Sequence, residues 1–403
     1  MSSDQSSAGA KGTAKAAIDP LDFVDTRALL SGEERAITDT VRRFVDDKIV
    51  NRVGGWFENG EFPAREIAPQ LGEIGLLGMH LDGFGCAGTN AVSYGQACLE
   101  LEAGDSGLRS FVSVQGSLAM FPIRAYGSQE QCEQWLPPMA TGSTIGCFGL
   151  TEPDSGSDPG SMRTRARRDG SDWILNGRKM WITNGSIADV AVVWAETDEG
   201  VRGFLVPSGT PGFGQYQIHQ KMSLRASDTG ELVLDDVRLP DAAVLPGVHG
   251  LRGPLSCLTE ARFGILFGAL GAARASYAAA RSYAMERQQF GRPIAGFQLT
   301  QAKFASMVSA LSQGTLLALH LGRMKDDGRL APDHVSLGKM SNVRTALDIC
   351  RLARTILGAN GISLEYPVIR HMTNLESVLT YEGTEEVHAL VVGKAVTGLD
   401  AFR

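Results

Sequence analysis

Near the C-terminus, Tyr381-Glu382-Gly383-Thr384 sets an acidic side chain between an aromatic ring and a glycine. A helix-friendly run precedes these residues, and they open the last amphipathic stretch of the chain. A carboxylate packed against apolar and aromatic groups loses solvation. Its pKa then climbs from about 4.3 toward neutrality, where it can both take and release a proton. Glu382 is therefore the candidate general base, and most other informative segments point to redox chemistry that begins with proton removal.

Three of those segments stand out. Phe148-Gly149-Leu150-Thr151-Glu152-Pro153-Asp154-Ser155-Gly156-Ser157-Asp158 runs from a strand into a loop dense in hydroxyls and glycines. Such a loop can bring N–H groups to a polar ring edge or a pyrophosphate, or be a solvated turn. Lys179-Met180-Trp181-Ile182-Thr183-Asn184-Gly185 offers an indole and a hydroxyl two residues apart, on one face of a strand. That pair can cradle a planar heterocycle, although a tryptophan alone reads equally as a core residue. Arg287-Gln288-Gln289-Phe290-Gly291-Arg292-Pro293 joins two long helices, and its cations suit either a helix C-terminus or a dinucleotide phosphate.

Gly83-Phe84-Gly85-Cys86-Ala87-Gly88 has the G-x-G-x-x-G form of a nicotinamide-dinucleotide fingerprint, with Asp105 about 20 residues on. The patterns on both sides are helical, however, so no βαβ unit frames it. The chain lacks a G-x-S-x-G elbow, an H-E-x-x-H pair and a Walker A loop, so hydrolase and triphosphatase readings lose their usual support. Cys86, Cys98, Cys132, Cys147, Cys257 and Cys350 show neither C-x-x-C spacing nor a histidine-rich neighbourhood. They read as reduced structural thiols, with no metal site.

The positioning elements follow from periodicity. Ser31 with Glu34 forms a capping-box pair ahead of Ile37, Val41, Phe44, Val45 and Ile49 at helical spacing. Helices are predicted over 66–77, despite Pro69, and over 91–102, 108–126 and 129–136, the last opened by Ser128 with Gln131. From about residue 144 the texture turns to short β-rich runs at 173–175, 190–194, 203–206 and 231–234, with turns at Asp169-Gly170, Asn176-Gly177 and Asn184-Gly185. Helical period returns at 255–287, 297–325, 332–357 and 384–400, long enough for an antiparallel bundle. The fold class is α+β, with a helical domain over 21–143, a β domain over 144–250 and a helical bundle over 251–403.

At 403 residues the chain exceeds the roughly 250–300 at which a single core splits into domains. A net charge of −7 argues against nucleic acid as principal partner. The longest apolar run, 263–273, ends at Arg274 and falls short of the roughly 20 residues of a spanning helix, so no integral membrane segment is expected. Residues 1–20 are rich in Ser, Ala, Gly and Lys, without a signal-like apolar core, and read as a disordered tail on a cytoplasmic protein.

Taken in order, the motifs at 148–158, 181–184, 287–291, Leu357-Gly358-Ala359-Asn360-Gly361 and 381–384 resemble the acyl-CoA dehydrogenase family over roughly residues 30–403. The resemblance implies a helical N-terminal domain, a β middle domain, a C-terminal four-helix bundle and FAD as cofactor. It makes Thr151 and Thr183 partners of the flavin ring, Trp181 its packing neighbour, and Ser157 a contact near the pyrophosphate. Phe148, Leu150, Thr384 and Glu386 join that cofactor set, while Arg287 and Phe290 reach the FAD of a neighbouring subunit in a homotetramer. Glu382 becomes the base that removes an acyl-CoA α-proton while flavin N5 accepts the β-hydride, with the Glu382 backbone N–H polarising the thioester oxygen. Some relatives carry the base beside Arg262, where this chain has Ala261 next to Glu260. Thr355 and Ala359 depart from the family's usual glutamine and glycine.

Within the family, the segment 99–115, Ser223-Leu224-Arg225-Ala226-Ser227 and the C-terminal stretch resemble the glutaryl-CoA dehydrogenases. By spacing alone Arg109 reads as a salt-bridge partner of Glu102 or Asp105. The resemblance instead makes it the partner of a distal substrate carboxylate, assisted by Ser110, Ser113 and Glu102, with Tyr381 and Arg262 completing the substrate set. An unpaired cation is costly in an apolar acyl pocket, and a dicarboxylate gives it a bidentate partner. The implied reaction is oxidation of glutaryl-CoA with loss of CO2 to crotonyl-CoA, in lysine and tryptophan catabolism, with an electron-transferring flavoprotein as acceptor. The alternatives are a short-chain or non-decarboxylating acyl-CoA dehydrogenase, and a non-catalytic acyl-CoA or flavin-binding protein.

Overall fold

The computed structural model describes residues 18–401. Apart from residues 18–20, the tail expected over 1–20 lies outside them. The first helix, α1 (Gly32–Lys48), starts at the expected capping box: the Glu34 N–H donates to Ser31 Oγ at 3.2 Å, and the Ser31 N–H to Glu34 Oε2 at 2.7 Å. Then come α2 (Val50–Asn59) and α3 (Ala64–Glu73), which contains Pro69. The helix predicted over 66–77 ends early because Gly75 and Gly78 both adopt left-handed backbone, φ 70° and 69°.

Strands β1 (Asp82–Gly83) and β2 (Cys86–Ala87) form a hairpin turned at Phe84 and Gly85, φ 54° and 86°. The G-x-G-x-x-G motif therefore shapes a tight turn. Helix α4 (Ala91–Gly104) is capped by Asn90, and Asp105 then caps α5 (Ser106–Ser113) by accepting the Gly107 N–H at 2.6 Å. The single helix predicted over 108–126 is instead α5, a π-helical stretch at Val114–Met120 and α6 (Phe121–Tyr126). Pro122 has no N–H to give, and its ring would meet the carbonyl four residues back, so a wider turn precedes it. The second capping box, Ser128 with Gln131, opens α7 (Gln129–Ala140).

The middle of the chain is one seven-stranded sheet: β3 (Gly146–Gly149), β4 (Arg165–Asp169), β5 (Asp172–Thr183), β6 (Val190–Thr197), β7 (Gly200–Pro207), β8 (Phe213–Gln217) and β9 (Thr229–Pro240). The strand order is β3-β6-β4-β5-β9-β8, with β7 also pairing β6. β6 runs parallel to β3 and β4, and the other pairs are antiparallel. Asp169-Gly170 and Asn184-Gly185 turn the chain as expected, but Asn176-Gly177 does not. It is a bulge inside β5, where Asn176 exchanges two 2.9 Å bonds with Asp236 on β9. There Gly177 admits Thr164 so closely that a Cβ would sit 2.4 Å from its Oγ1.

The C-terminal part begins with α8 (Arg252–Glu286), a hairpin of β10 (Gln288–Gln289) and β11 (Arg292–Pro293), and α9 (Gln298–Asp326). It continues with α10 (Pro332–Leu357), α11 (Pro367–Thr380) and α12 (Glu385–Thr397). Helix α11 is absent from the periodicity reading. By length and composition alone α8 and α9 are each long and apolar enough to span a bilayer, although the longest uninterrupted apolar run in the sequence is short. α8 instead buries most of its apolar surface, packed against α4 and α10. One apolar core runs through both helical parts, a second joins α6 and α7 to the sheet, and a third lies within the sheet.

Candidate active site

Tyr381, Glu382 and Gly383 form the short link between α11 and α12. The link is fixed downstream by Thr384, whose Oγ1 caps α12 by accepting the Val387 N–H at 3.3 Å. Glu382 and Gly383 both lie in left-handed backbone, φ 53° and 95°. Holding a glutamate there costs about 1–3 kcal/mol, so its surroundings must impose it. Two cationic side chains do so. Arg262, on α8, donates from Nε to the Glu382 carbonyl at 2.6 Å. Lys339, on α10, donates from Nζ to the carbonyls of Tyr381 and, at 2.6 Å, Gly383.

The Glu382 carboxyl is buried, and its Oε2 has no hydrogen-bond partner among the described residues. Burial raises its pKa, while the charges of Arg109, Lys339 and Arg262 pull it back. Burial likewise lowers Lys339. His388 on α12 packs against the same turn, pushed down to about 3 by burial and by the cations Lys339 and Arg262, so it is neutral there. Glu260, the alternative base, is tied to Lys325 through both oxygens at 2.7 and 2.9 Å. Only Glu382 of the two has a carboxylate oxygen free to take a proton.

Beside the base lies a buried polar cluster built by α4 and α5. Arg109 is 1% exposed and donates from Nε to Glu102 Oε2 at 2.7 Å and from Nη2 to the Tyr381 hydroxyl. Glu102, fully buried, also accepts from Ser106 Oγ at 2.8 Å, and Ser110 Oγ lies 3.2 Å from the Tyr381 hydroxyl. Gly268 on α8 makes the room: a Cβ there would sit 2.2 Å from Glu102 Oε2 and 3.2 Å from Arg109 Nε. Two donors in this cluster are left over, Arg109 Nη1 and Ser113 Oγ, buried and without partners among the described residues. Such groups are costly unless something else satisfies them.

Of the residues expected around a flavin, Phe148, Leu150, Thr151, Ser157, Trp181 and Thr183 lie on the sheet and the loop that follows β3, whereas Arg287, Phe290, Thr384 and Glu386 belong to the C-terminal part. The Met180 N–H donates to the Thr151 carbonyl at 2.9 Å, which sets the hydroxyl-rich loop against β5 just before Trp181. A second bulge, between Lys179 and Ile182, places Trp181 at φ 63° with 56% of its surface exposed. Trp181 and Thr183 thus do not share a face by simple alternation, because the bulge breaks the period. Phe148 and Leu150 are buried beneath the loop, Thr151 and Thr183 are half-buried, and Ser157 is exposed. Phe290, at the β10–β11 tip, is 94% exposed, and Arg287 and Glu386 are exposed as well. An indole left open beside backbone and hydroxyl groups fits the face and edge of a planar heteroaromatic ring.

The two halves of the site are joined through the segment before β9. A Cβ on Gly107 of α5 would meet the Ala226 carbonyl at 2.2 Å, and three residues later Thr229 pairs with Thr183. Sequence reasoning missed Lys339 and His388. For Lys339 a signal existed, since it interrupts the apolar stripe of Val335, Val343 and Ala346 on α10.

Family models match three successive stretches: residues 31–143 the acyl-CoA dehydrogenase N-terminal domain, 147–237 the middle domain and 249–397 the C-terminal domain. The chain superposes on a glutaryl-CoA dehydrogenase from Mycobacterium smegmatis with a TM-score of 0.95 and 65% identity, covering 96% of this chain and 100% of that one. A structure of glutaryl-CoA dehydrogenase from the same organism in complex with FADH2 gives a TM-score of 0.95 and 62% identity, with the same 96% and 100% coverage. The mitochondrial short-chain specific acyl-CoA dehydrogenase of Bos taurus is 36% identical over 361 residues, 88% of this chain and 87% of that protein.

Proposed function

Because this chain belongs to the acyl-CoA dehydrogenase family and is an FAD-dependent oxidoreductase, we propose that its substrate is glutaryl-CoA and its products are crotonyl-CoA and CO2. One observation carries the choice of substrate: the buried, unpartnered Nη1 of Arg109, with Ser113 four residues further along the same helix. A terminal carboxylate would accept from both, turning a costly feature into a recognition element. A monocarboxylic acyl chain would leave them unsatisfied.

In this reading Arg109 anchors the distal end of the acyl chain and Glu382 removes the proton next to the thioester carbonyl. Bound FAD supplies the oxidant, taking the β-hydride. Trp181, Thr151 and Thr183 would hold its ring, and Ser157 would lie toward its pyrophosphate. The Glu382 backbone N–H donates to the thioester oxygen as negative charge builds there. With the 2,3-double bond formed, the bond to the terminal carboxyl breaks, CO2 leaves, and its electron pair spreads into the unsaturated thioester. Protonated Glu382 returns its proton to the γ-carbon, giving crotonyl-CoA.

The proposed setting is a cytoplasmic homotetramer in which Arg287 and Phe290 reach a neighbour's FAD, with an electron-transferring flavoprotein as acceptor. The test is a panel of glutaryl-CoA, butyryl-CoA and branched thioesters, with crotonyl-CoA and CO2 quantified. Turnover of butyryl-CoA in preference to glutaryl-CoA favours a short-chain enzyme, and glutaconyl-CoA accumulating without CO2 favours a non-decarboxylating one.

A further inference from the structure

The three carbonyls around the proposed base are all held by cations from other helices: Tyr381 and Gly383 by the Lys339 ammonium, and Glu382 by the Arg262 guanidinium. Arg262 approaches from α8 and Lys339 from α10, so the turn is clamped between two rigid elements. Lys339 is 1% exposed, and it shares the Tyr381 ring with Arg109, its Nζ 5.8 Å and the guanidinium carbon 5.7 Å from the ring centroid. A lysine buried only to pack a helix would present a poor exchange, given the cost of desolvating its charge. Here all of its observed bonds go to the two residues flanking Glu382.

From this geometry we infer that Lys339 is a positioning residue for proton abstraction, one that aims both the carboxylate and the backbone N–H of Glu382 at the thioester. The inference rests on the reading of Glu382 as base. Its physical basis is the planarity of the peptide. No peptide bond among the described residues is cis, so the Tyr381 carbonyl and the Glu382 N–H point to opposite edges of one plane. Binding the carbonyl to Lys339 turns the N–H away from α10. The same ammonium holds the Gly383 carbonyl and so fixes the far side of the left-handed pair. Gly383 has no freedom to accept a side chain, since a Cβ there would stand 2.8 Å from His388 Nε2.

Lys339 also acts through its charge. The groups facing Glu382 are Arg109 from α5, Arg262 from α8, Lys339 from α10 and the neutral His388 from α12, with the Tyr381 hydroxyl on its own turn. Losing one of three cations raises the Glu382 pKa, so the acidic limb of kcat/KM moves to higher pH.

The test compares two Lys339 variants with Glu382→Gln, all as FAD-replete enzyme. Lys339→Met removes donors and charge, whereas Lys339→Gln removes the charge but keeps an amide with two donors on a side chain one bond shorter. Lys339→Met is expected to lower kcat by about 10–100-fold, with little change in KM, because two hydrogen bonds to the turn are lost. It also moves the acidic limb up by about 1–3 pH units. Lys339→Gln shows the same displacement of the limb with a smaller loss of kcat. Wild-type kcat and an unmoved limb in FAD-replete Lys339→Met overturn the inference, as does a lowered melting temperature with the limb in place. Should Lys339→Met fail to yield holoenzyme, an unmoved limb in Lys339→Gln overturns it equally. Turnover by Glu382→Gln sinks the base assignment itself, whereas an inactive Glu382→Gln beside normal Lys339 variants sinks only the role of the lysine.

Discussion

Replacing Arg109 with methionine separates recognition of a dicarboxylate from general damage to the site. The side chain is 1% exposed, and its bonds go to Glu102 and Tyr381, leaving Nη1 for a ligand. Truncating one partner of a buried, hydrogen-bonded charge pair costs about 2–5 kcal/mol of binding. At 1.4 kcal/mol per tenfold, kcat/KM for glutaryl-CoA falls by about thirtyfold to a few thousandfold. A second cost comes from Glu102, left without its cation though still bonded to Ser106 at 2.8 Å, and it lowers stability by about 3–5 kcal/mol. A third is a further rise in the Glu382 pKa, since Arg109 is the first of the cations that lower it. Both of these act on every substrate, so the ratio of kcat/KM for glutaryl-CoA to that for butyryl-CoA cancels them. The assay is steady-state kinetics on FAD-replete enzyme, with Glu102→Gln/Arg109→Met as a partner variant that relieves the orphaned carboxylate. The ratio is expected to drop by at least about thirtyfold in both variants. An equal loss with the two thioesters refutes the role of Arg109 in binding a carboxylate.

Three further outcomes follow from the same geometry. Glu260→Gln leaves the acidic limb of kcat/KM in place, because that carboxylate is already committed to Lys325; a displaced limb would return Glu260 to consideration as base. Phe290→Ala, which removes a ring that is 94% exposed in the single chain, weakens FAD retention by about tenfold or more, with folding of the monomer unchanged. Gel filtration with the flavin absorbance followed checks it, and full retention argues against a contact from this hairpin. Glu100 is buried, which alone would raise its pKa, but Arg274 and Arg42 overrule burial and hold it at about 2. The stability it contributes is therefore present above 4.5 and lost as pH falls from 4.5 toward 2. Glu100→Gln lowers stability at pH 7 by about 3–5 kcal/mol and flattens the acid-unfolding curve in that window.

Much of the fold was legible because its signals are local. Ser31 with Glu34 and Ser128 with Gln131 each place a hydroxyl three residues before a carboxyl or amide, and both formed reciprocal caps. The failures share a cause too. Asn176-Gly177 has the composition of a turn, yet its side chain found Asp236 across the sheet, and long-range pairing replaced the local bend. The break at Val114–Met120 hinged on how Pro122 fits the turn before it, which helical periodicity does not register.

The site divides in the same way. Glu382 could be picked out in sequence from its local context, whereas Trp181 alone read equally as a core residue and Arg109 as a salt-bridge partner, and both took site roles only through the family resemblance. That Glu382 keeps a free oxygen while Glu260 is consumed by Lys325, 65 residues away, depends on two helices meeting. Lys339 and Tyr381, 42 residues apart, likewise become neighbours only when α10 packs beside the α11–α12 link. Sequence thus determined which chemical groups the chain owns and most of the helices and strands that carry them, though not α11 or the bulges of β5. Tertiary structure alone decided which buried charges are neutralised and which stay available, because desolvation and pairing depend on distances through space rather than along the chain.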